Sequence, residues 1–240
     1  MDIIQSFYYS QNSERQNEIE TTLANNLSKM YINNIHLFIE KKDQELFIKS
    51  AFSTHDHYNK IKIVECDAQP KYPDLFRYGS NLPDTICCIC NSDIEMSIDT
   101  ENVSLLERLR DTKCVFFLSR HECDMSCPNI TNYQGSHDAC IFHSTVIRNS
   151  INDTDYEFIN YVQNTSGIEA LITLLFIETL RYEMLNPCYQ IKLIHHHSSA
   201  IRLWEPLQNG HTVIVGYTAP RPLNRRWGRY NKHMIRPCTL

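Results

Sequence analysis

Short apolar runs alternate with amphipathic stretches along the first hundred residues, and the pattern predicts strands separated by helices. Ile3 to Tyr9 reads as a first strand and Ser10 to Ser13 as turn and N-cap. Glu14 to Leu27 places Ile19, Leu23 and Leu27 on one helical face. Ile35 to Glu40 is a second strand, Gln44 to Phe52 a short helix, Ile61 to Asp67 a third strand, Tyr72 to Tyr78 a helix and Thr85 to Cys90 a fourth strand. Strands joined through helices need crossovers, so this order predicts parallel pairing in a doubly wound sheet.

The second half is less regular. Leu105 to Arg110 reads as helix, Cys114 to Ser119 as a fifth strand, Cys123 to Tyr133 as an irregular loop and Ala139 to His143 as a sixth strand. Gly167 opens a helix from Ile168 to Arg181 with Leu171, Leu174, Leu175 and Ile177 as its apolar stripe, and Ile191 to Ile194 is a strand running into His195-His196-His197. The expected class is α/β, with a mostly parallel central sheet flanked by helices in one domain over residues 1–223, and 224–240 as a C-terminal arm or lid.

Composition narrows the partners. A net charge of −5 and a pI near 6.1 argue against a nucleic-acid-coating or membrane-surface role. No run approaches the roughly 18 consecutive apolar residues of a membrane helix, and the start lacks the features of a secretory signal. Cys87, Cys88 and Cys90 lie inside an apolar strand and read as reduced core residues, so the expected location is the cytoplasm.

Candidate chemistry collects where strands end. Glu40, Asp67 and Asp93 each close a strand, and in an open α/β sheet the carboxyl ends of the strands form the ligand crevice. An acid there either caps a turn or holds a metal ion against a phosphate. With 6 glycines in the chain and no glycine-rich phosphate loop, a metal ion is the expected holder of phosphates. Strand alternation puts His195 and His197 on one face and His196 on the other, as metal ligands or as a solvated run. Glu169, in the first turn of its helix, is a cap or a general base; the helix dipole lowers its pKa, so partial desolvation is required to restore basicity. Asp138 carries the same readings, or caps the turn at Gly135. Arg120 and His121 either neutralise a diphosphate or, for Arg120, pair with Glu122. By position, Glu40 and Asp67 contact the base or ribose, and Tyr72 or Tyr78 stacks on the base.

Five motifs carry a resemblance: Phe7-Tyr8-Tyr9-Ser10, Asn91-Ser92-Asp93-Ile94, Leu118-Ser119-Arg120-His121-Glu122, Gly135-Ser136-His137-Asp138 and Asn186-Pro187-Cys188, with His195 to Arg202 after them. In this order the chain resembles GT-A-type nucleotide-sugar glycosyltransferases, and more narrowly glycosyltransferase-like proteins of large DNA viruses. Gly167 to Arg202 is also similar to the half of polypeptide GalNAc-transferases that carries a Gly-Glu helix, a Pro-Cys and a metal-binding histidine. The resemblance implies a GT-A-like fold. It also implies transfer of a sugar from a nucleotide-diphosphate sugar to a glycan, protein or lipid hydroxyl, with Mn2+ or Mg2+ as cofactor. Asp93 stands at the last acid of the D-x-D motif, with His195 or His197 as a further metal ligand and Asp138 or Glu169 near the acceptor. Tyr9, Asn91, Ser92, Arg120 and His121 fall on the nucleotide side. Two departures stand out: the acid motif reads Asn-Ser-Asp, and Ala170 follows Glu169 where the family carries a second polar residue.

The residues also support three rival readings. The sheet can be kept without the chemistry, as a catalytically inactive binding protein. His121, Cys123, Cys127 and His137 have the loose spacing of a zinc-binding interaction module. A nucleotidyltransferase on a similar sheet ranks below both, for want of a glycine- and basic-rich phosphate loop.

Overall fold

A computed structural model of the chain describes residues 1–110, 112–122, 137–148, 150–165, 167–199, 211–214 and 217–220. The opening βα order is present. Strand β1 (Asp2–Ser6) leads to helix α1 (Ser13–Leu27), β2 (Asn34–Ile39) to α2 (Lys42–Phe52), and β3 (Ile61–Glu65) to α3 (Tyr72–Asn81), before β4 (Ile86–Cys90). After β5 (Ile94–Ile98) come β6 (Cys114–Leu118), β7 (Arg120–Glu122), β8 (Ala139–His143), the short helices α4 (Ser144–Ile147) and α5 (Asp153–Phe158), and α6 (Ile168–Leu174). Strands β9 (Glu183–Leu185), β10 (Ile191–His195), β11 (His211–Ile214) and β12 (Tyr217–Pro220) complete the order.

Seven strands form the central sheet in the order β3-β2-β1-β4-β8-β6-β9. Pairing is parallel from β3 through to β4 and again between β6 and β9, and antiparallel on both sides of β8. Successive residues of the central strands face opposite layers, and both layers are apolar, as expected of a sheet covered on both faces. Ile3, Leu37, Cys88 and Cys90 pack with Ile19 and Leu23 of α1 and Ile48 of α2. Ile4, Phe38, Cys87 and Ile89 pack with Phe76 of α3 and Leu171 of α6. Cys87, Cys88, Cys90 and Cys140 are buried free thiols, and burial pushes the Cys87 thiol up, away from the reactive thiolate.

Three departures from the sequence pattern bear on the site. Ile94–Ile98, for which the sequence pattern assigns no element, is a strand that joins β10 and β7 in a second, three-stranded sheet. Leu105 to Arg110 belongs to a longer 3₁₀ segment, Thr100–Leu109. The expected helix Ile168–Arg181 is α-helical only to Leu174 and then widens into a π-helical turn, Leu175–Thr179. That turn carries Phe176 against Phe76, Phe117 and Tyr182, at ring separations of 5.8, 5.6 and 5.4 Å. The expected arm over 224–240 and the loop over Cys123 to Tyr133 lie outside the described residues.

Helix α3 packs closely on the sheet at Gly79, where a Cβ would meet Ile4 Cδ1 and Phe142 Cζ, each at 2.8 Å. Both neighbours are fully buried. Gly79→Val is expected to lose on the order of 2 kcal/mol of stability through overpacking, read from urea unfolding midpoints.

Candidate functional site

Strand β4 ends at Cys90, and the turn Asn91-Ser92-Asp93 closes with Ile94 N–H donating to Asn91 O at 3.2 Å. The chain then enters β5, which runs antiparallel to β10 with Ile94 opposite His195. His196 N–H donates to Asp93 O at 2.9 Å, which fixes the histidine run beside the acid. Strand pairing stops at His195, yet side-chain alternation continues. His195 Nε2 lies 3.2 Å and His197 Nδ1 3.4 Å from Asp93 Oδ2, and the two rings stack with centroids 5.0 Å apart. His196 turns the other way, to Glu95 Oε2 at 2.9 Å, and Glu95 also takes Lys29 and Asn25. His196 and Lys29 hold the Glu95 carboxyl down to about 2, against a burial that raises it.

Asp93, His195 and His197 are the three groups among the described residues that could hold a metal ion together. Their ligand atoms lie within 4.8 Å of one another. Atoms bonded at metal–nitrogen and metal–oxygen distances to one ion sit about 3.0–3.5 Å apart, so the Asp93–histidine spacings and the N,N,O donor set fit a divalent transition metal. All three side chains are at least nine-tenths buried. Burial alone would raise the Asp93 pKa. The hydrogen bond of His195 and the charge of Arg15 outweigh it and hold the carboxyl well below its ordinary value.

Arg15 was not singled out from the sequence. It stands in the first turn of α1, where a cation runs against the helix dipole, and that misfit was the available signal. Its guanidinium donates to Asp93 Oδ2 at 2.7 Å, Glu18 Oε2 at 2.9 Å and His197 Nδ1 at 2.8 Å, and its Nε–H to the Tyr8 hydroxyl at 2.8 Å. Glu18 in turn accepts from Ser199 N–H at 2.7 Å and from the Ser198 and Ser199 hydroxyls, both at 3.0 Å. Gln163, also unmarked in the sequence, ties the ends of β1 and β4, accepting from the Ser6 hydroxyl at 2.8 Å and donating to Cys90 O at 3.1 Å.

On the other face of the sheet a small, partly open cavity is lined by Tyr72, Phe117, His137, Asp138, Cys140 and Glu169. Gly167, at φ 86°, takes the left-handed turn that starts α6 and sets Glu169 toward this cavity. Burial pushes the Glu169 carboxyl up to about 8, with Asp138 adding to the rise and Arg120 opposing it. Desolvation therefore outweighs the helix dipole, which reverses the expected lowering. Burial also raises Asp138, against the pull of Arg120 Nη1 at 3.0 Å, and lowers His137 to about 4.

Several other candidates are placed differently from expectation. Arg120 Nη1 pairs with Asp138 Oδ1. His121 is buried, with Nε2 donating to Cys188 O at 2.7 Å, so it braces the three-stranded sheet instead of facing a ligand. Asn186 braces the same corner, accepting from Ser119 N–H at 3.1 Å and donating to the Ser119 hydroxyl at 2.8 Å. Tyr72 lies in the cavity wall, and the half-buried Tyr78 donates to His36 Nδ1 at 2.8 Å. Glu40 and Asp67 are exposed at the ends of β2 and β3, and Tyr9 is 56% exposed against Phe47. Asn91 is half-buried and Ser92 buried. Of the residues considered for zinc, Cys123 and Cys127 lie outside the described residues, and His121 and His137 sit in different environments.

Comparison with solved structures places this architecture. The mannosyltransferase PcManGT from Pyrobaculum calidifontis, solved with GDP-Man and Mn2+, aligns over 81% of this chain and 56% of its own at a TM-score of 0.52 and 12% identity. The fold is GT-A-like. S. aureus TarS, solved with UDP-GlcNAc, aligns over 87% of this chain and 59% of its own at 0.46 and 11% identity. The 4-diphosphocytidyl-2C-methyl-D-erythritol synthase of Anaerococcus prevotii aligns over 85% of this chain and 90% of its own at 0.48 and 15% identity. The chain thus spans under two thirds of the PcManGT and TarS structures. No protein-family model and no curated protein matches the sequence. No helix among the described residues is long and apolar enough to cross a membrane.

Glu169 yields a stability test. Its raised pKa means that the folded state binds a proton more tightly than the unfolded chain. The stabilisation is complete below the ordinary carboxyl range and is lost as pH rises through about 8. Glu169→Gln should match the parent near pH 4 and exceed it at pH 8.5, by on the order of 2 kcal/mol in thermal or urea unfolding. An unchanged difference across that range would show that the carboxyl is not desolvated.

Proposed function

We propose that this chain is a glycosyltransferase. It takes a nucleotide-diphosphate sugar at the carboxyl edge of β1 and β4 and passes the sugar to an acceptor hydroxyl. The observation that carries the reading is the convergence of Asp93, His195 and His197 where a GT-A-like sheet opens its crevice. PcManGT was solved with a guanosine diphosphate sugar and Mn2+ and TarS with a uridine diphosphate sugar, which gives the donor class to test.

Asp93, His195 and His197 would hold Mn2+ or Mg2+, which offsets the charge that grows on a leaving diphosphate. The N,N,O set favours Mn2+ of the two. Asn91 and Ser92, in the turn ahead of Asp93, face the diphosphate, while Glu40, Asp67 and Tyr9 are placed for ribose and base. Glu169 takes the proton of the acceptor hydroxyl, and Asp138 with Arg120 sets the charge around it. A carboxyl with a pKa near 8 is a stronger base than an ordinary one, and it acts only in its ionised fraction. The cytoplasmic setting and the kinship with proteins of large DNA viruses belong to this reading and rest on the sequence.

A binding protein without turnover is the second reading. It is favoured by the Arg15 guanidinium, which already satisfies Asp93 and His197.

Thermal shift against a panel of nucleotide sugars, with and without Mn2+, identifies the donor, because a ligand of the folded state raises its melting temperature. Calorimetry then separates the roles. His195→Gln is expected to weaken the Mn2+-dependent part of UDP or GDP binding about tenfold or more. Unchanged metal dependence in that variant removes the ion from these residues. With an acceptor in hand, transfer should rise with pH to about 8 and be abolished in Glu169→Gln, which keeps donor binding. Retained transfer hands the role of base to Asp138 or to no protein group. Donor binding without any turnover selects the second reading.

A further inference from the structure

We propose that Arg15 is the resident counter-cation of the Asp93–His195–His197 site, and that a divalent ion enters by displacing its guanidinium from Asp93 Oδ2 and His197 Nδ1. The inference rests on the metal-site part of the preceding reading and is independent of sugar transfer.

The geometry is that of direct competition. Two of the three candidate ligand atoms are already engaged by Arg15, at 2.7 and 2.8 Å. An arginine can only donate, so His197 Nδ1 accepts and the ring proton sits on Nε2. That Nε2 is buried with no hydrogen-bond partner among the described residues. The lone pair of this ring therefore points to Arg15 and toward the acid. An ion and the guanidinium need the same electron pair and the same carboxylate oxygen.

The pairing also has a physical reason. Asp93 is buried and lies 2.7 Å from the Arg15 guanidinium, and a buried carboxylate without a positive partner is strongly destabilising. The protein needs a cation there before any ion arrives, and Arg15, whose side chain is 8% exposed, supplies it. Displacement does not strand the arginine. Its Nε–H donates to the Tyr8 hydroxyl, and Nη1, the nitrogen that also engages His197, has further partners in Glu18 Oε2 at 2.9 Å and His196 O at 3.3 Å. None of these three acceptors is a candidate ligand atom. The arginine thus sets a threshold: ions that bind nitrogen and oxygen strongly can displace it, and hard, weakly competing ions do so poorly.

Co2+ is the probe, because its visible absorption reports the ligand set without nucleotide or turnover. Parent, Arg15→Gln and Arg15→Lys are titrated by absorbance and calorimetry at one ionic strength, with folding checked by circular dichroism. Arg15→Gln is expected to bind Co2+ about tenfold or more tightly, with the spectrum of the parent complex. Arg15→Lys, which cannot bridge both atoms, should fall between the two and serves as the readout if the glutamine variant does not fold. The metal-free Arg15→Gln protein should melt below the parent and regain more of its stability on adding Co2+. A purely structural arginine predicts equal or weaker binding in both variants, and that result overturns the proposal while leaving the metal site in place. No Co2+ binding by any of the three proteins overturns the proposal and the metal site together.

Discussion

A carboxylate buried at the end of β4 organises this molecule, because Asp93 has to be neutralised wherever it is folded away from water. Three separate parts of the chain meet there. Helix α1 brings Arg15, and the end of β10 with the residues just after it brings His195 and His197 to the turn that carries the acid. Breaking one side of such a cluster leaves a charge unpaired in a low-dielectric setting, which costs about 3–5 kcal/mol. The crevice is therefore held in shape by the same contacts that give it its chemistry. Glu18 extends the arrangement outward by clasping Ser198 and Ser199, so the chain beyond the histidines starts from a fixed point.

The two faces of the sheet differ in their electrostatics, and Asp138 still feels Asp93 and His195. On the α1 side Asp93 and Glu95 are held ionised by bases and neighbouring charge, whereas on the α6 side Asp138 and Glu169 are pushed toward neutrality by burial. One set suits the binding of cations and the other the movement of protons. The separation comes from strand alternation and from which helices cover each face, with no special loop needed to create it.

The features that could be read from the sequence were those that repeat locally. The βα order, the acids closing β2 and β4 and the opposed directions of His195 and His196 all derive from periods of two and 3.6 residues. The contacts that complete the site have no such signature. Arg15 and Asp93 are 78 residues apart, and Gln163 reaches Ser6 across 157, so no window of sequence contains either pair. Glu169 was legible as a residue and not as a charge state, because its pKa depends on the groups packed around α6. Ile94-Glu95-Met96-Ser97-Ile98 has a clean alternation but the sequence pattern assigns it no element, and its pairing with β10 is what makes it a strand.

The reversed direction of β8 has a consequence for how Asp138 is held. In an all-parallel sheet only residues that leave a strand arrive at the crevice, and each arrives at a phase set by the strand just completed. Here the chain enters β8 at that edge, with Ala139 opposite Cys90 and Asp138 N–H bonded to Leu118 O at 3.0 Å. The position of Asp138 is thus tied to the strand it opens and to the neighbouring β6. An acid that opens a strand is held by the ladder that follows it, so Asp138 moves only if the pairing of β8 with β4 and β6 is broken.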